Sequence, residues 1–214
     1  MLIHKMGWIF QKLLYPQLTW SRYSDEKVIY LTFDDGPVPD VTEWVLSQLF
    51  RYQAKATFFC VGDNIRKYPQ IFENILKNGH NIGNHTFNHL NGWKTEKEKY
   101  FENIFECQAV ISKHCKETKN SKPLFRPPYG RIKKEQIKGL LPQYEIIMWD
   151  VLSGDYRKDI SAETCLKKSV KHTENGSIVV FHDSYKAVKN LHYVLPRYLE
   201  HFLEKGYSFE GLLK

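Results

Sequence analysis

The chain reads as an α/β protein built on a mainly parallel sheet, and two observations predict that class. From Lys27 onward, short apolar runs alternate with amphipathic helical stretches; regular β/α alternation implies parallel strands with helices packed outside them. The 214 residues are 42% hydrophobic and 14% aromatic, which suits one good-sized domain with a buried core. Folds made of strands alone are excluded. Periodicity leaves an open sheet and a barrel as alternatives, and both place active sites at the carboxyl ends of their strands.

Each element follows from its own pattern. In "MLIHKMGWIFQKLLYP" the residues Leu2, Ile3, Met6, Ile9, Phe10, Leu13 and Leu14 recur at helical spacing. Residues 1–26 are therefore expected to form an amphipathic extension packed on or near the domain, with contact to a membrane surface as its second use. Lys5 and Lys12 interrupt the apolar stretch and no small-residue cleavage site follows, so the segment is not expected to be a signal peptide. The protein is therefore expected in the cytoplasm, or at a membrane through this helix. No apolar run approaches the ~18 residues of a transmembrane span.

Residues 27–214 carry the domain itself. "VIYLTF" is the first strand, and a helix follows from about Val41. Asp40 and Glu43 resemble a capping box, and Val41, Trp44, Val45 and Leu49 form the apolar stripe. "ATFFCV" is the second strand. The helix after it carries Ile71, Phe72, Ile75 and Leu76, and Gly79 suits its C-terminal cap. "HNIGNH" and a long charged helix from about Thr95 to Lys116 come next. "PLFRPPYG" then leads to a short helix near Ile132–Leu140 and the strand "YEIIMWDV". A helix near Ser161–Lys171, the strand "SIVVFH", a helix with Leu199, Phe202 and Leu203 ending at Gly206, and "YSFEGL" close the chain.

The net charge is +7, from 31 basic and 24 acidic residues. The lysines are spread through helices (Lys94, Lys97, Lys99, then Lys133, Lys134, Lys138), the pattern of a solvated basic surface, and no nucleic-acid motif accompanies them. Nucleic acid is not expected as a partner, and the protein is expected to be a monomer. Cys60, Cys107, Cys115 and Cys165 form no CxxC pair and no zinc-finger spacing, so they read as reduced thiols, with Cys60 in the core.

Four polar clusters sit at predicted strand ends. "TFDDGP" places Asp34 and Asp35 before a Gly-Pro turn; alone, it is as consistent with turn chemistry as with catalysis. "NHTFNH" places His85 and His89 four apart, a spacing that puts two imidazoles on one face of a helical turn. It lacks the Glu of the HExxH protease signature. "FRPPYG" is a stiff proline turn ended by Gly130, which either leaves Arg126 solvated or aims Arg126 and the backbone N–H near Tyr129 into a pocket. "SIVVFHD" delivers His182 at the tip of a buried strand. Together, an acid and two imidazoles with an open position describe a catalytic metal site, and a separate His and Asp would handle protons. The joint arrangement favours metal-dependent hydrolysis.

The order of these motifs resembles the polysaccharide deacetylases of carbohydrate esterase family 4, or NodB-homology domains. "TFDDGP", "HTFNH", "RPPYG" and "VVFH" are similar to that family's motifs over roughly Lys27 to Gly211. The resemblance implies a distorted (β/α) barrel of about seven mainly parallel strands. It implies a hydrolase acting on carbon–nitrogen, non-peptide bonds, which removes N-acetyl groups from a polysaccharide or oligosaccharide such as peptidoglycan or a chitin-like chain. The cofactor implied is a divalent metal, commonly zinc, with cobalt, nickel or manganese as substitutes, bound by Asp35, His85 and His89. Asp34 would be the general base, oriented by Arg126. The Tyr129 N–H would help to hold the oxyanion, and His182 would protonate the departing amine. An O-acetyl polysaccharide esterase and a degenerate carbohydrate-binding domain are the alternatives.

One motif departs from the pattern. Where the family shows D-x-x-D-W, this chain reads "LSGDY", so Leu152 stands in the place of the first Asp and Asp155 in that of the second. Asp150, two residues earlier, faces the same side of a continuous strand as residue 152. It is therefore expected to take over part of the support of His182. Tyr129, Trp149 and Trp93 are the candidates for stacking on a sugar ring.

Overall fold

All seven residues of β1 (Val28–Asp34) are buried, as expected of a strand covered on both faces in a parallel sheet. In the computed structural model, which describes residues 15–115 and 121–213, every ladder of the sheet is parallel. The order is β5 (Glu145–Ile146), β4 (Leu124–Phe125), β3 (Asn81–Asn84), β2 (Thr57–Cys60), β1, β7 (Ile178–His182) and β6 (Val151–Leu152). A short β8 (Ser208–Glu210) pairs with Val28–Tyr30, the opening residues of β1. The path of seven strands curls into a half-barrel, which selects the distorted barrel from the two architectures left open by periodicity.

Helices α1 (Val41–Arg51), α2 (Gly62–Lys67), α3 (Pro69–Lys77), α4 (Lys97–His114), α5 (Lys134–Leu140), α6 (Ala162–His172) and α7 (Val188–Glu204) fill the connections. α1 buries Val41, Val45, Leu46 and Leu49, and the Asp40 N–H donates to the Glu43 carboxylate at 3.1 Å. α3 buries Ile71, Phe72 and Ile75, and the chain leaves it through Gly79 at φ 72°, a left-handed conformation that glycine adopts without strain.

Strand alternation divides the core. The odd residues of β1, Ile29, Leu31 and Phe33, pack with Val179 and Phe181 of β7 against α1 and α7. The even residues Val28 and Tyr30 face inward with Phe59, Leu124 and Ile178. Burying one such aromatic or aliphatic side chain contributes about 1.5–3 kcal/mol. The inward register continues through Thr32 to Asp34, both buried. A hydrophobic period of two thus carries a carboxylate to the top of the barrel interior.

Two expectations are corrected here. "YEIIMWDV" is not one strand: β5 ends at Ile146 and β6 begins at Val151, and the intervening Ile147 and Met148 pair instead with Thr19. "HTFNH" is not helical; Thr86 (φ 62°) and His89 (φ 55°) adopt left-handed backbone in a loop after β3. All four cysteines are free, and Cys60 is buried. The amphipathic helix expected within residues 1–14 lies outside the described residues. Among those described, no helix is long and apolar enough to cross a membrane.

Candidate active site

β1 ends at Asp34, and Asp35 follows at φ 83°. The positive φ breaks the two-residue alternation, so the second acid does not swing to the outer face. Both acids line one cavity of about 150 Å³ at the carboxyl end of the sheet. Gly36 is required by close approach: a Cβ there would lie 1.9 Å from the Asp183 carboxylate. The Gly36 N–H donates to that carboxylate at 3.1 Å and the Thr42 hydroxyl donates to it at 2.7 Å. Asp183 thus ties the turn bearing the two acids to α1 and β7.

The loop after β3 brings the imidazoles in. The Asn84 side chain accepts from the Thr86 N–H at 2.9 Å, and the Asn103 side chain from α4 accepts from Phe87 and Asn88 N–H groups at 3.0 and 2.9 Å. Held this way, His89 Nε2 lies 3.1 Å from Asp35 Oδ1 and His85 Nε2 lies 3.7 Å from it. One ligand atom from each of the three residues fits within 4.8 Å of the others.

The tautomers suit a cation. His85 Nδ1 is 2.8 Å from the Arg126 carbonyl; a carbonyl only accepts, so the proton sits on Nδ1 and the Nε2 lone pair is free. Burial pushes His85 down to about 4, against the opposing charge of Asp34, which keeps the ring neutral as a ligand must be. His89 Nδ1 meets the Tyr129 hydroxyl at 3.1 Å. Burial raises the pKa of Asp35, but the hydrogen bond from His89 and the charges of His182 and His85 outweigh it and hold the carboxyl well below the usual range.

Arg126 is fully buried, and its side chain is engaged on every side. Nη1 donates to Asp34 Oδ1 and to the Thr32 hydroxyl, each at 2.7 Å. Nη2 donates to the Met148 carbonyl at 2.9 Å, and the guanidinium stacks 4.0 Å from the Phe59 ring centroid. A buried charge requires such pairing. The arrangement fixes one oxygen of Asp34 and leaves the carboxylate facing the cavity.

His182, at the tip of β7, pairs with Asp155. Nδ1 lies 2.8 Å from Asp155 Oδ1, while the His182 backbone N–H donates to Oδ2 at 2.8 Å. Burial works against the imidazolium, but the charge and hydrogen bond of Asp155, with Asp35 and Asp34 behind, raise His182 to about 9. The assignment of Asp150 to this role is corrected. Asp150 accepts from the Ser177 hydroxyl at 2.7 Å, and Ser177 precedes β7 at its other end. Five residues of strand at about 3.3 Å each separate Ser177 from His182 by roughly 16 Å. Asp150 lies just before β6, which begins at Val151, so the continuous strand expected to carry it beside Leu152 is not formed. Leu152 itself lines the cavity as an apolar wall.

Tyr129 (φ 62°) stands at the cavity with its side chain 59% exposed. Trp149 lines the cavity too and rests against Gly130. Trp93 is equally exposed, but its indole N–H is held by the Ile132 carbonyl at 3.2 Å, and it does not line the cavity. A larger hollow of about 710 Å³, lined by Phe50, Tyr52, Lys55 and His80, lies at the opposite end of the strands and contains none of these groups. The sequence matches Asp155 only to the second Asp of the motif, with no role assigned, and residue spacing does not point to Thr32 or Asp183. A period-two reading of β1 does put Thr32 on the face of Asp34, and Asp183 directly follows His182, so signals existed for both.

The comparisons with known proteins agree with this geometry. The profile described as polysaccharide deacetylase matches residues 21–141. A peptidoglycan-N-acetylglucosamine deacetylase of Bacillus cereus is 34% identical over 195 residues, covering 90% of this chain and 89% of the relative. A peptidoglycan-N-acetylmuramic acid deacetylase of Bacillus subtilis is 32% identical over 76% of this chain, which spans only 33% of that longer protein. The crystal structure of the Bc1960 peptidoglycan N-acetylglucosamine deacetylase superposes with a TM-score of 0.86 at 29% identity, over 96% of this chain and 95% of that one.

Proposed function

The chain belongs to the polysaccharide deacetylase family, and on that premise we propose that it hydrolyses N-acetyl groups on the amino sugars of peptidoglycan or a chitin-like glycan with the help of a divalent metal. One observation carries the reading: across a single cavity, the Asp34–Asp35–His85–His89 group faces a His182–Asp155 pair. Amide hydrolysis needs a base for water on one side and an acid for a poor amine leaving group on the other.

Asp35, His85 and His89 have the donor chemistry for a divalent cation of the zinc, cobalt, nickel or manganese class, with room left for water and substrate. Such a cation, when bound, lowers the pKa of water and polarises a carbonyl. Asp34, oriented by Arg126, takes the proton from the attacking water. The Tyr129 backbone N–H contributes a fixed dipole toward the developing oxyanion. His182 is held protonated by Asp155 and delivers its proton to the departing nitrogen. Tyr129 and Trp149 present rings at the mouth for the sugar, and Leu152 and Val180 keep the wall apolar.

The test is acetate release from chitooligosaccharide, peptidoglycan and acetylated xylan, each with chelator and with added zinc, cobalt, nickel or manganese. Metal-dependent release from an N-acetylated glycan is expected. Release from xylan alone would assign an O-acetyl esterase, and glycan binding without turnover at any metal would assign a non-catalytic binding domain.

A further inference from the structure

The cavity wall includes one long cation whose function the deacetylation chemistry does not absorb. Lys186 lines the cavity together with Asp34, Asp35, His182 and Tyr156. Its side chain is exposed, and no hydrogen bond or ion pair engages its ammonium among the described residues. The loop that carries it is well anchored. Asp183 is tied to Gly36 and Thr42, Ser184 and Ala187 are buried, and the Ala187 N–H donates to the Ser184 carbonyl at 2.9 Å. That turn leaves Tyr185 (61% exposed) and Lys186 at its tip, four residues past His182. An unpaired ammonium on a rigid turn is preorganised, because only the side chain has to be ordered on binding.

The other charged groups of the site already have partners. Asp34 is paired with Arg126 and Asp35 faces His85 and His89. Lys186 is therefore the group left to meet a charge brought by the ligand, and that charge must be negative. We propose that Lys186 reads a carboxylate on the glycan next to the scissile acetamide, so that the preferred substrate is an acidic amino-sugar polymer rather than neutral chitin. The inference rests on the deacetylase reading above and names its substrate class. In peptidoglycan the carboxylate has two sources, the lactyl ether of the muramic acid residue and the peptide stem attached to it. An ammonium serves either one, because it is a point charge on a flexible stem rather than a planar fork.

A pair at a solvent-open rim shifts affinity modestly. The experiment compares kcat/KM on three metal-supplemented substrates: stem-bearing muropeptide, the same glycan with its stem removed so that the lactyl carboxylate is free, and neutral chitotetraose. In wild type the acidic glycans are expected to be preferred. Lys186→Met should lower the acidic-to-neutral ratio by roughly three- to tenfold, mostly through KM, with the loss shrinking as salt is raised. Lys186→Arg should keep most of the ratio and Lys186→Glu should lower it further. A greater loss on stem-bearing than on stem-free glycan assigns the stem, and the reverse assigns the lactyl group. An unchanged ratio in both Lys186→Met and Lys186→Glu, with wild type active, overturns the inference and leaves the deacetylase reading standing. Wild type without turnover on any substrate and any metal overturns both.

Discussion

Asp155→Asn is the perturbation that most directly interrogates the acid side of the site. The carboxylate makes two 2.8 Å contacts, one to the His182 ring and one to its backbone N–H. An asparagine keeps the backbone bond through its carbonyl oxygen but turns an N–H toward Nδ1, which favours the neutral ring. With Asp155 in place, His182 stands at about 9 against an ordinary 6.5, although burial alone would lower it. Removing most of that support returns the ring toward its ordinary value, a change of roughly 3 kcal/mol between protonation states. As an acid, His182 is active only when protonated, so activity falls as pH rises through its pKa. The alkaline limb of the kcat/KM profile is expected to move from near pH 9 in wild type to pH 6.5 or below in the variant. At pH 7.5 the loss should be about tenfold or more, shrinking as the pH is lowered. The assay is acetate release across pH 5–10 at saturating metal, with metal content and circular dichroism confirming an intact site. An alkaline limb that stays in place in Asp155→Asn refutes the reasoning. Asp150→Asn, which touches the Ser177 end of β7, should leave the limb where it is.

Other perturbations probe the remaining supports. Gly36→Ala forces a Cβ against the Asp183 carboxylate and should displace the Asp34–Asp35 turn, lowering zinc affinity about tenfold or more in a competition titration. Arg126→Ala leaves Asp34 buried without its cation and should destabilise the fold by about 3–5 kcal/mol in urea. His89→Ala removes one of three ligand atoms; metal stoichiometry by mass spectrometry should fall well below one, and chelator should no longer alter a residual activity. Burial raises Asp183 to about 8 from 3.8, so the folded state holds this proton better than the unfolded chain does. That contribution to stability is present at low pH and is lost as pH climbs from about 4 to about 8. Asp183→Asn should flatten this stretch of the Tm–pH curve of the metal-free protein.

The sequence by itself determined the parallel α/β class, the approximate places of most helices and the residues that gather at the strand ends. These are local features. Burial on a period of two or 3.6 is written in consecutive residues, and the strand-end position of Asp34 or His182 follows from where an apolar run stops. Barrel closure was not local. The break between β5 and β6, where Thr19 pairs with Ile147, depends on a partner 128 positions away in the chain. The carboxylate that serves His182 is also a long-range partner: Asp155, 27 residues distant, while Asp150 meets Ser177. Likewise His85 and His89 share one face not through helical spacing but because Asn84 and Asn103 hold a loop in left-handed backbone. Only tertiary structure could place the Asp183 carboxylate where a Gly36 Cβ would fall, or leave the Lys186 ammonium unmatched at the cavity rim. Periodicity records which side of an element is buried; it carries no record of which hydrogen-bonding group waits there, and the chemistry of this site is made of such pairings.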